Sequence, residues 1–128
     1  MTEKEQPSAL AGRTVLIVED EVLIALDIEA ALEQKGALVK GPVTRLADGL
    51  PIAENQSHEF DCAVLDVNLR GEEVFPIAEK LQKNGIPFLF HTGHGKSEVL
   101  QQRFANAPVC NKPFQTEKLL LELEKLIR

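Results

Sequence analysis

Short apolar segments alternate with helix-like segments five times along this chain of 128 residues. Three of these segments are almost continuously apolar instead of alternating with polar residues: 14–18 (TVLIV), 62–65 (CAVL) and 87–90 (PFLF). Such sequences are typical of parallel strands that are buried on both faces. Segments 38–43 and 108–110 are weaker strand candidates, and their prolines suit sheet edges or strand ends. The pattern therefore predicts an α/β fold with a doubly wound parallel sheet, covered by helices on both faces.

The helix-like segments differ in how well their sequences define them. Segment 21–35 repeats apolar residues on one face, and a second segment has Pro76 in its first turn and ends at Asn84-Gly85. Both patterns predict helices. In segment 45–56, Pro51 removes a backbone hydrogen bond, so this helix is expected to be kinked or to start late.

The two C-terminal helix-like segments have opposite character. Segment 93–106 contains two glycines and few apolar residues, so any helix there is expected to be short and loosely packed. Segment 117–127 is rich in leucine and predicts a closing amphipathic helix. Residues 1–12 are polar and are expected to form a flexible tail, with one domain over residues 13–128. A second domain of ordinary size would not fit.

Composition and charge exclude several classes of function. Apolar residues make up 44% and charged residues 27%, no apolar segment could span a bilayer, and no secretion signal is present, so a cytoplasmic location is expected. The net charge of −6 argues against general binding to nucleic acid or anionic membranes and favours protein partners. Cys62 and Cys110 lie in strand-like segments and are expected to be buried, reduced thiols.

Chemically complementary residues follow four of the predicted strands: Glu19 and Asp20, Asp66, Thr92, and Lys112. In an open parallel sheet, ligands bind beyond the carboxyl ends of the strands. Crowded carboxylates repel one another unless a cation joins them, and hard oxygen ligands suit Mg²⁺. A lysine and a hydroxyl could then meet the oxygens of a phosphoryl group. The residues alone thus indicate a cation-dependent anion site suited to phosphoryl transfer.

The sequence motifs at these strand ends resemble those of the receiver domain of two-component response regulators, and the resemblance covers residues 13–128. The four motifs are Val18-Glu19-Asp20, Leu65-Asp66-Val67-Asn68, His91-Thr92-Gly93 and Asn111-Lys112-Pro113-Phe114. The resemblance implies a flavodoxin-like (βα)5 fold whose five strands lie in the order 2-1-3-4-5.

The resemblance also implies a role for each acidic residue. Asp66 would accept the phosphoryl group from a histidine of a sensor histidine kinase or a histidine phosphotransfer protein. Glu19 and Asp20 would hold Mg²⁺ together with Asp66, and Asn68 would contribute its backbone carbonyl. Lys112 would pair with the phosphoryl oxygens, usually with a cis peptide bond before the following proline.

The switch residues depart from the usual receiver pattern. Thr92, followed by Gly93, fits the switch hydroxyl. Receivers usually carry Tyr or Phe three residues before the lysine, where this chain has Val109, so the usual coupling between threonine and an aromatic ring cannot operate.

Segment 87–95 resembles a receiver subfamily nicknamed FAT GUY, whose fourth strand ends in Phe-Ala-Thr-Gly. In this chain His91 replaces the alanine, and His94-Gly95 occupy the variable end of the motif. That subfamily often has a disordered fourth helix, so we expect phosphorylation to order segment 91–106.

We interpret the sequence as that of a stand-alone response regulator. It would signal by binding another protein, act as a phosphate sink, or relay the phosphoryl group. It would catalyse its own phosphorylation and dephosphorylation without turning over an external substrate. Leu23 on the first helix is a candidate kinase contact. The alternatives are an unphosphorylated receiver-like binding module and an aspartyl-nucleophile phosphatase, although such a phosphatase needs a second aspartate where this chain has Asn68.

Overall fold

A computed structural model of the protein describes residues 8–93 and 97–127. The strands are β1 (Thr14–Val18), β2 (Leu38–Val43), β3 (Cys62–Leu65), β4 (Asn68–Leu69), β5 (Glu72–Glu73), β6 (Phe88–Thr92) and β7 (Val109–Asn111). The helices are α1 (Val22–Gln34), α2 (Leu46–Asn55), α3 (Phe75–Lys83), α4 (Ser97–Arg103) and α5 (Thr116–Ile127), with a 3-10 turn at Ser57–Glu59.

The central sheet contains five parallel strands in the order β2-β1-β3-β6-β7. This order is the predicted 2-1-3-4-5 once the small strands β4 and β5 are left out of the count. The flavodoxin-like fold predicted from the sequence is therefore confirmed. Within the described residues no helix has the length and apolar sequence needed to cross a bilayer.

The alternate side chains of each central strand enter two separate apolar cores. Leu16 and Val18 of β1 join the core that packs against α2, α3 and α4, while Val15 and Ile17 join the core under α1 and α5. All four side chains are fully buried. Both faces of the strand must be apolar, which explains the continuously apolar sequence.

Strands β4 and β5 form a hairpin that the sequence analysis did not predict. Asn68 pairs with Glu73 and Leu69 with Glu72, which leaves Arg70 and Gly71 as a two-residue loop. Both loop residues have positive φ, 54° and 91°. Two-residue hairpin loops with the twist of a type I′ turn require this geometry.

Helix α2 begins at Leu46 and continues through Pro51. Of the two predicted alternatives, the late start is therefore wrong and the kink stays a prediction. Only the N–H of residue 51 is lost, and tertiary packing holds the rest of the helix. Gly49 is buried, and a Cβ at this position would lie 2.6 Å from Ile77 Cδ1 and 3.1 Å from Val43 Cγ1. The absence of a side chain therefore lets α2 approach α3 closely.

Helix α4 is short, as expected, but its C-terminal end is not loosely packed. Leu100 and Phe104 are 0% and 3% exposed. The Phe104 ring lies 5.4 Å from Phe90 and 5.8 Å from Phe88 in edge-to-face contacts, and 6.1 Å from Phe75. These rings fasten the end of α4 to the core even though the sequence around it is largely polar.

The N-terminal segment of the domain begins earlier than predicted. Leu10 is fully buried, Gly12 N–H donates to the Gly36 carbonyl at 2.9 Å, and the Ser8 hydroxyl donates to Glu124. Residues 8–12 are thus a packed part of the domain, and the predicted flexible tail over residues 1–12 is wrong for them. One leucine in a polar context is a weak sequence signal. Residues 1–7 lie outside the described part of the chain.

The two cysteines are buried free thiols, as predicted. Cys62 lies on β3 and Cys110 on β7, with β6 between them. Burial raises the pKa of the Cys62 thiol to about 12 and that of Cys110 to about 11. Neither thiol is therefore reactive near neutral pH.

Candidate functional site

The residues predicted to form the site lie together at the carboxyl edge of the central sheet. Glu19 and Asp20 follow β1, Asp66 follows β3, Thr92 ends β6, and Lys112 follows β7. Backbone hydrogen bonds connect these strand ends: Asp66 N–H donates to the Val18 carbonyl at 2.8 Å, and Lys112 N–H donates to the Thr92 carbonyl at 2.7 Å.

Four carboxylates form a cluster at this edge. Glu19 is 1% and Asp66 5% exposed, whereas Asp20 is half-buried and Glu21 is exposed. One oxygen from each of these four side chains lies within 4.8 Å of the others. A set of oxygen donors that includes two buried carboxylates fits a hard divalent cation such as Mg²⁺. Glu19, Asp20 and Asp66 were predicted for this cluster, but Glu21 was not.

The β4–β5 hairpin supports the acidic cluster through backbone N–H groups. Arg70 N–H donates to Asp20 Oδ2 at 3.1 Å, and Asn68 N–H donates to Asp66 Oδ1 at 3.3 Å. The Asn68 side-chain oxygen accepts a hydrogen bond from Gly71 N–H at 2.7 Å. The Asn68 side chain is therefore used to close the hairpin, which is compatible with a ligand role for its backbone carbonyl alone.

The Lys112 ammonium lies among three of the carboxylates. Its Nζ is 2.8 Å from Glu21 Oε1, 3.1 Å from Glu19 Oε1 and 3.3 Å from Asp66 Oδ2. The lysine side chain is 13% exposed, and the Lys112-Pro113 peptide bond is cis. Glu21 makes the shortest of these contacts, and its position immediately after the acidic pair is the sequence signal that could have identified it.

Burial and crowding change the proton affinities of these groups. Burial, together with the hydrogen bond and the charge of Asp66, raises the pKa of Glu19 to about 8. Burial also raises the pKa of Asp66. Burial opposes the charge on Lys112, but its hydrogen bond to Glu21 and the charges of Asp66 and Glu19 raise its pKa overall. In the absence of a cation, burial and crowding thus favour the protonated forms of Glu19 and Asp66.

The predicted switch residues border this cluster. Thr92 is 5% exposed and Gly93 is exposed. Val109 is half-buried, pairs with Phe90 across β6 and β7, and packs against the core shared with α4. Position 109 therefore supplies an aliphatic contact in place of an aromatic ring, while Phe90 on the neighbouring strand contacts Phe104 beyond the end of α4.

His91 lies next to Thr92 and is buried beside the acidic cluster, with its Nδ1 3.9 Å from Glu19 Oε1. It is 4% exposed, and neither ring nitrogen has a hydrogen-bond partner among the described residues. Burial, reinforced by the charge of Lys112, lowers the pKa of His91 to about 4, so the ring is neutral at pH 7. His94 and Gly95, the variable end of the subfamily motif, lie outside the described residues.

A fold of this type with two acids, an aspartate, a hydroxyl and a lysine at its strand ends defines a receiver domain. The family model for the response regulator receiver domain matches residues 15–124, and the chain belongs to this family.

Individual relatives agree with this assignment. A solution structure of SdrG from Sphingomonas melonis Fr1 is 40% identical, with a TM-score of 0.73, over 94% of this chain and 99% of that chain. A response regulator receiver protein from Sinorhizobium medicae WSM419 is 22% identical and shares the fold with a TM-score of 0.80, over 91% of this chain and 94% of that one. The uncharacterized transcriptional regulatory protein YbdJ of Bacillus subtilis is 29% identical over 92% of this chain and 52% of its own length. The chain thus spans about half the length of the curated relatives it matches.

Proposed function

We propose that Asp66 accepts a phosphoryl group from a histidine of a sensor histidine kinase or a histidine phosphotransfer protein, and that Mg²⁺ is required. The observation that carries this proposal is the position of the Asp66 carboxylate, 3.3 Å from the Lys112 ammonium and beside the carboxylates of Glu19 and Asp20. A nucleophile, a cation and metal ligands at one sheet edge are the parts that phosphoryl transfer needs.

In the proposed reaction, one Asp66 oxygen attacks the phosphorus atom in line with the bond to the histidine nitrogen. The new oxygen–phosphorus bond forms as the phosphorus–nitrogen bond breaks, and the histidine ring leaves with the electron pair. Lys112 stabilises the negative charge on the phosphoryl oxygens, and the Thr92 hydroxyl donates a hydrogen bond to one of them. When bound by Glu19, Asp20, Asp66 and the Asn68 carbonyl, Mg²⁺ supplies positive charge that offsets the repulsion between the carboxylates and the phosphoryl group.

We further propose that the kinase or phosphotransfer protein docks on the N-terminal half of α1. Three apolar side chains are exposed there: Val22 at 53%, Leu23 at 83% and Leu26 at 50%, and the first of them lies two residues after Asp20. Leu23→Glu is expected to slow phosphotransfer from the partner while phosphorylation by a small donor stays unchanged. Leu38→Glu is the matched control, because Leu38 is a leucine of β2 that is also exposed, at 61%. Equal slowing in both variants would contradict docking on α1.

The output of the domain is proposed to be protein binding or phosphate storage, in the cytoplasm. The stand-alone role predicted from the sequence stays a prediction. Membership of the FAT GUY subfamily is likewise proposed, supported by Val109 at the usual aromatic position and by Phe90, Thr92 and Gly93 at the end of β6.

The test is incubation with acetyl phosphate, with and without Mg²⁺, followed by intact mass measurement. A Mg²⁺-dependent gain of one phosphoryl group that is absent from Asp66→Asn is expected. No gain in the folded protein, together with no adduct with beryllofluoride, would indicate an unphosphorylated binding module. Beryllofluoride is a suitable probe because a related chain, SdrG from Pseudomonas melonis Fr1, which is 39% identical with a TM-score of 0.71, has a solution structure of its BeF3-activated conformation.

A further inference from the structure

We propose that Glu21 is a positioning residue whose carboxylate holds the Lys112 ammonium in the resting site and competes with the phosphoryl group for it. Glu21 therefore weakens the response of the site to phosphorylation. This inference rests on the proposed function, because it concerns the same lysine and the same phosphoryl group.

Lys112 already has a full set of acceptors in the resting site. An ammonium group has three protons to donate, and among the described residues its contacts are with three carboxylates, those of Glu21, Glu19 and Asp66. The Glu21 contact is the shortest, at 2.8 Å. A phosphoryl group on Asp66 must therefore displace at least one of the present acceptors to obtain a charge-assisted hydrogen bond from Lys112.

The three acceptors differ in how easily they can leave the lysine. The side chains of Glu19 and Asp66 are 1% and 7% exposed, and that of Glu21 is 60% exposed. A buried carboxylate that loses its cation has no water to replace it, whereas an exposed carboxylate is solvated at once. Glu21 therefore releases Lys112 at the lowest cost.

The length of the Glu21 side chain determines whether it reaches the lysine. Glu21 is the residue that precedes the first turn of α1, and its N–H donates to Glu19 Oε2 at 3.1 Å. The backbone at this position is held by the buried acid, so the side chain alone must cover the distance to Lys112. An aspartate here keeps the charge but is one methylene shorter. Glu21→Asp therefore separates the contact from the charge.

The experiment compares wild type with Glu21→Gln, Glu21→Asp and a control, Glu33→Gln, in saturating Mg²⁺. Glu33 is exposed on the same helix, about three turns and roughly 18 Å further along. Beryllofluoride is titrated and the amide resonance of Gly93 is followed by NMR. Glu21→Gln and Glu21→Asp are expected to bind beryllofluoride about threefold to tenfold more tightly, as befits the loss of one partly exposed charge-assisted hydrogen bond. Glu33→Gln is expected to match wild type.

Two further measurements distinguish the loss of the contact with Lys112 from a general change in charge or metal affinity. The side-chain ammonium resonance of Lys112, recorded without Mg²⁺ or beryllofluoride, is expected to shift in both Glu21 variants and to stay in place in Glu33→Gln. In a Lys112→Ala background, Glu21→Gln is expected to lose its effect on beryllofluoride affinity, since a double-mutant cycle isolates the contact between the two residues. Mg²⁺ affinity is measured separately for each single variant.

Several outcomes would overturn the inference. They are unchanged or weaker beryllofluoride binding by Glu21→Gln, wild-type behaviour of Glu21→Asp, or an effect that persists without Lys112. A tenfold loss of Mg²⁺ affinity in Glu21→Gln would make Glu21 a metal ligand instead. If wild type itself neither binds beryllofluoride nor gains a phosphoryl group, the proposed function fails and the competition fails with it. A normal wild-type response with no change in the variants overturns the inference alone.

Discussion

Replacement of Glu19 by glutamine is expected to stabilise the metal-free protein at pH 7. Glu19 is 1% exposed and lies beside Asp66, and burial together with this neighbour raises its pKa to about 8. Folding in the absence of a cation therefore works against the ionised form of Glu19. Glutamine has the same shape as the protonated acid and removes this cost.

The magnitude follows from the difference between the folded and ordinary pKa values. The ordinary pKa of this acid, 4.5, lies about 2.5 units below pH 7. Each unit corresponds to about 1.36 kcal/mol, so protonation of Glu19 on folding at pH 7 costs at most about 3 kcal/mol. Lys112 loses one carboxylate partner in the variant, which offsets part of the gain. We expect Glu19→Gln to increase the free energy of unfolding by about 1–3 kcal/mol.

The pH dependence has a defined sign. The pKa of this acid is higher in the folded protein than in the unfolded chain, so the folded protein binds the proton more tightly. The corresponding stability is present below pH 4.5 and is lost as the pH rises from 4.5 to about 8. Wild type should therefore lose stability over this range in EDTA, and Glu19→Gln should lose less.

Urea unfolding followed by circular dichroism measures this effect, since the chain contains no Trp or Tyr. Titrations in EDTA at pH 5, 7 and 8 compare wild type, Glu19→Gln and the exposed control Glu33→Gln. Added Mg²⁺ should stabilise wild type more than Glu19→Gln, because the stabilisation that a ligand gives increases with its affinity for the folded state. Equal or lower stability of Glu19→Gln at pH 7 in EDTA, with an unchanged urea dependence, would refute the reasoning.

Three further predictions test the fold around the site. Leu10→Ala is expected to lower the free energy of unfolding, measured with urea, by about 2.7–5 kcal/mol. The exposed control Leu38→Ala should lower it by less than about 0.5 kcal/mol. Equally small losses in both variants would show that residue 10 belongs to a flexible tail. Beryllofluoride is expected to slow amide exchange at residues 97–99 and to change it little at Leu100, which is already fully buried. Equal exchange rates with and without beryllofluoride would contradict the hypothesis that phosphorylation orders this segment. Arg103→Ala removes a 2.8 Å ion pair with Glu79 and a cation–π contact 4.4 Å from the centre of the Phe75 ring. It should lower the free energy of unfolding by about 0.5–1.5 kcal/mol. An unchanged melting temperature would contradict this prediction.

The sheet could be predicted from the sequence because a strand that is buried on both faces needs apolar residues at consecutive positions. The apolar segments at residues 14–18 and 62–65 coincide with β1 and β3. The convergence of Glu19, Asp66 and Lys112 was predictable for a related reason, since strand ends in a parallel sheet meet at one edge.

Features that depend on single side chains were not predictable in this way. The burial of Leu10 depends on its tertiary packing in the core under α1 and α5, which no periodic pattern in the sequence indicates. The contact between Glu21 and Lys112 depends on rotamers and on the distance between two loops. The β4–β5 hairpin depends on a positive φ at Arg70, and an arginine in the sequence does not indicate this backbone conformation. Pro51 does not delay the start of α2, because a helix tolerates one missing N–H donor where Gly49 lets it pack closely against Ile77 of α3; the kink stays a prediction.

The position of residues 8–12 has a practical consequence for handling the protein. This segment leads into the start of β1 and bonds to Gly36, at the edge of the sheet opposite Asp66. The length of a five-residue strand, roughly 16 Å, separates the two edges. A fluorophore or an affinity tag placed ahead of Ser8 therefore leaves from the far side of the molecule. Immobilisation through such a tag would orient Asp66 and the exposed start of α1 toward the solution, where a large partner can approach both.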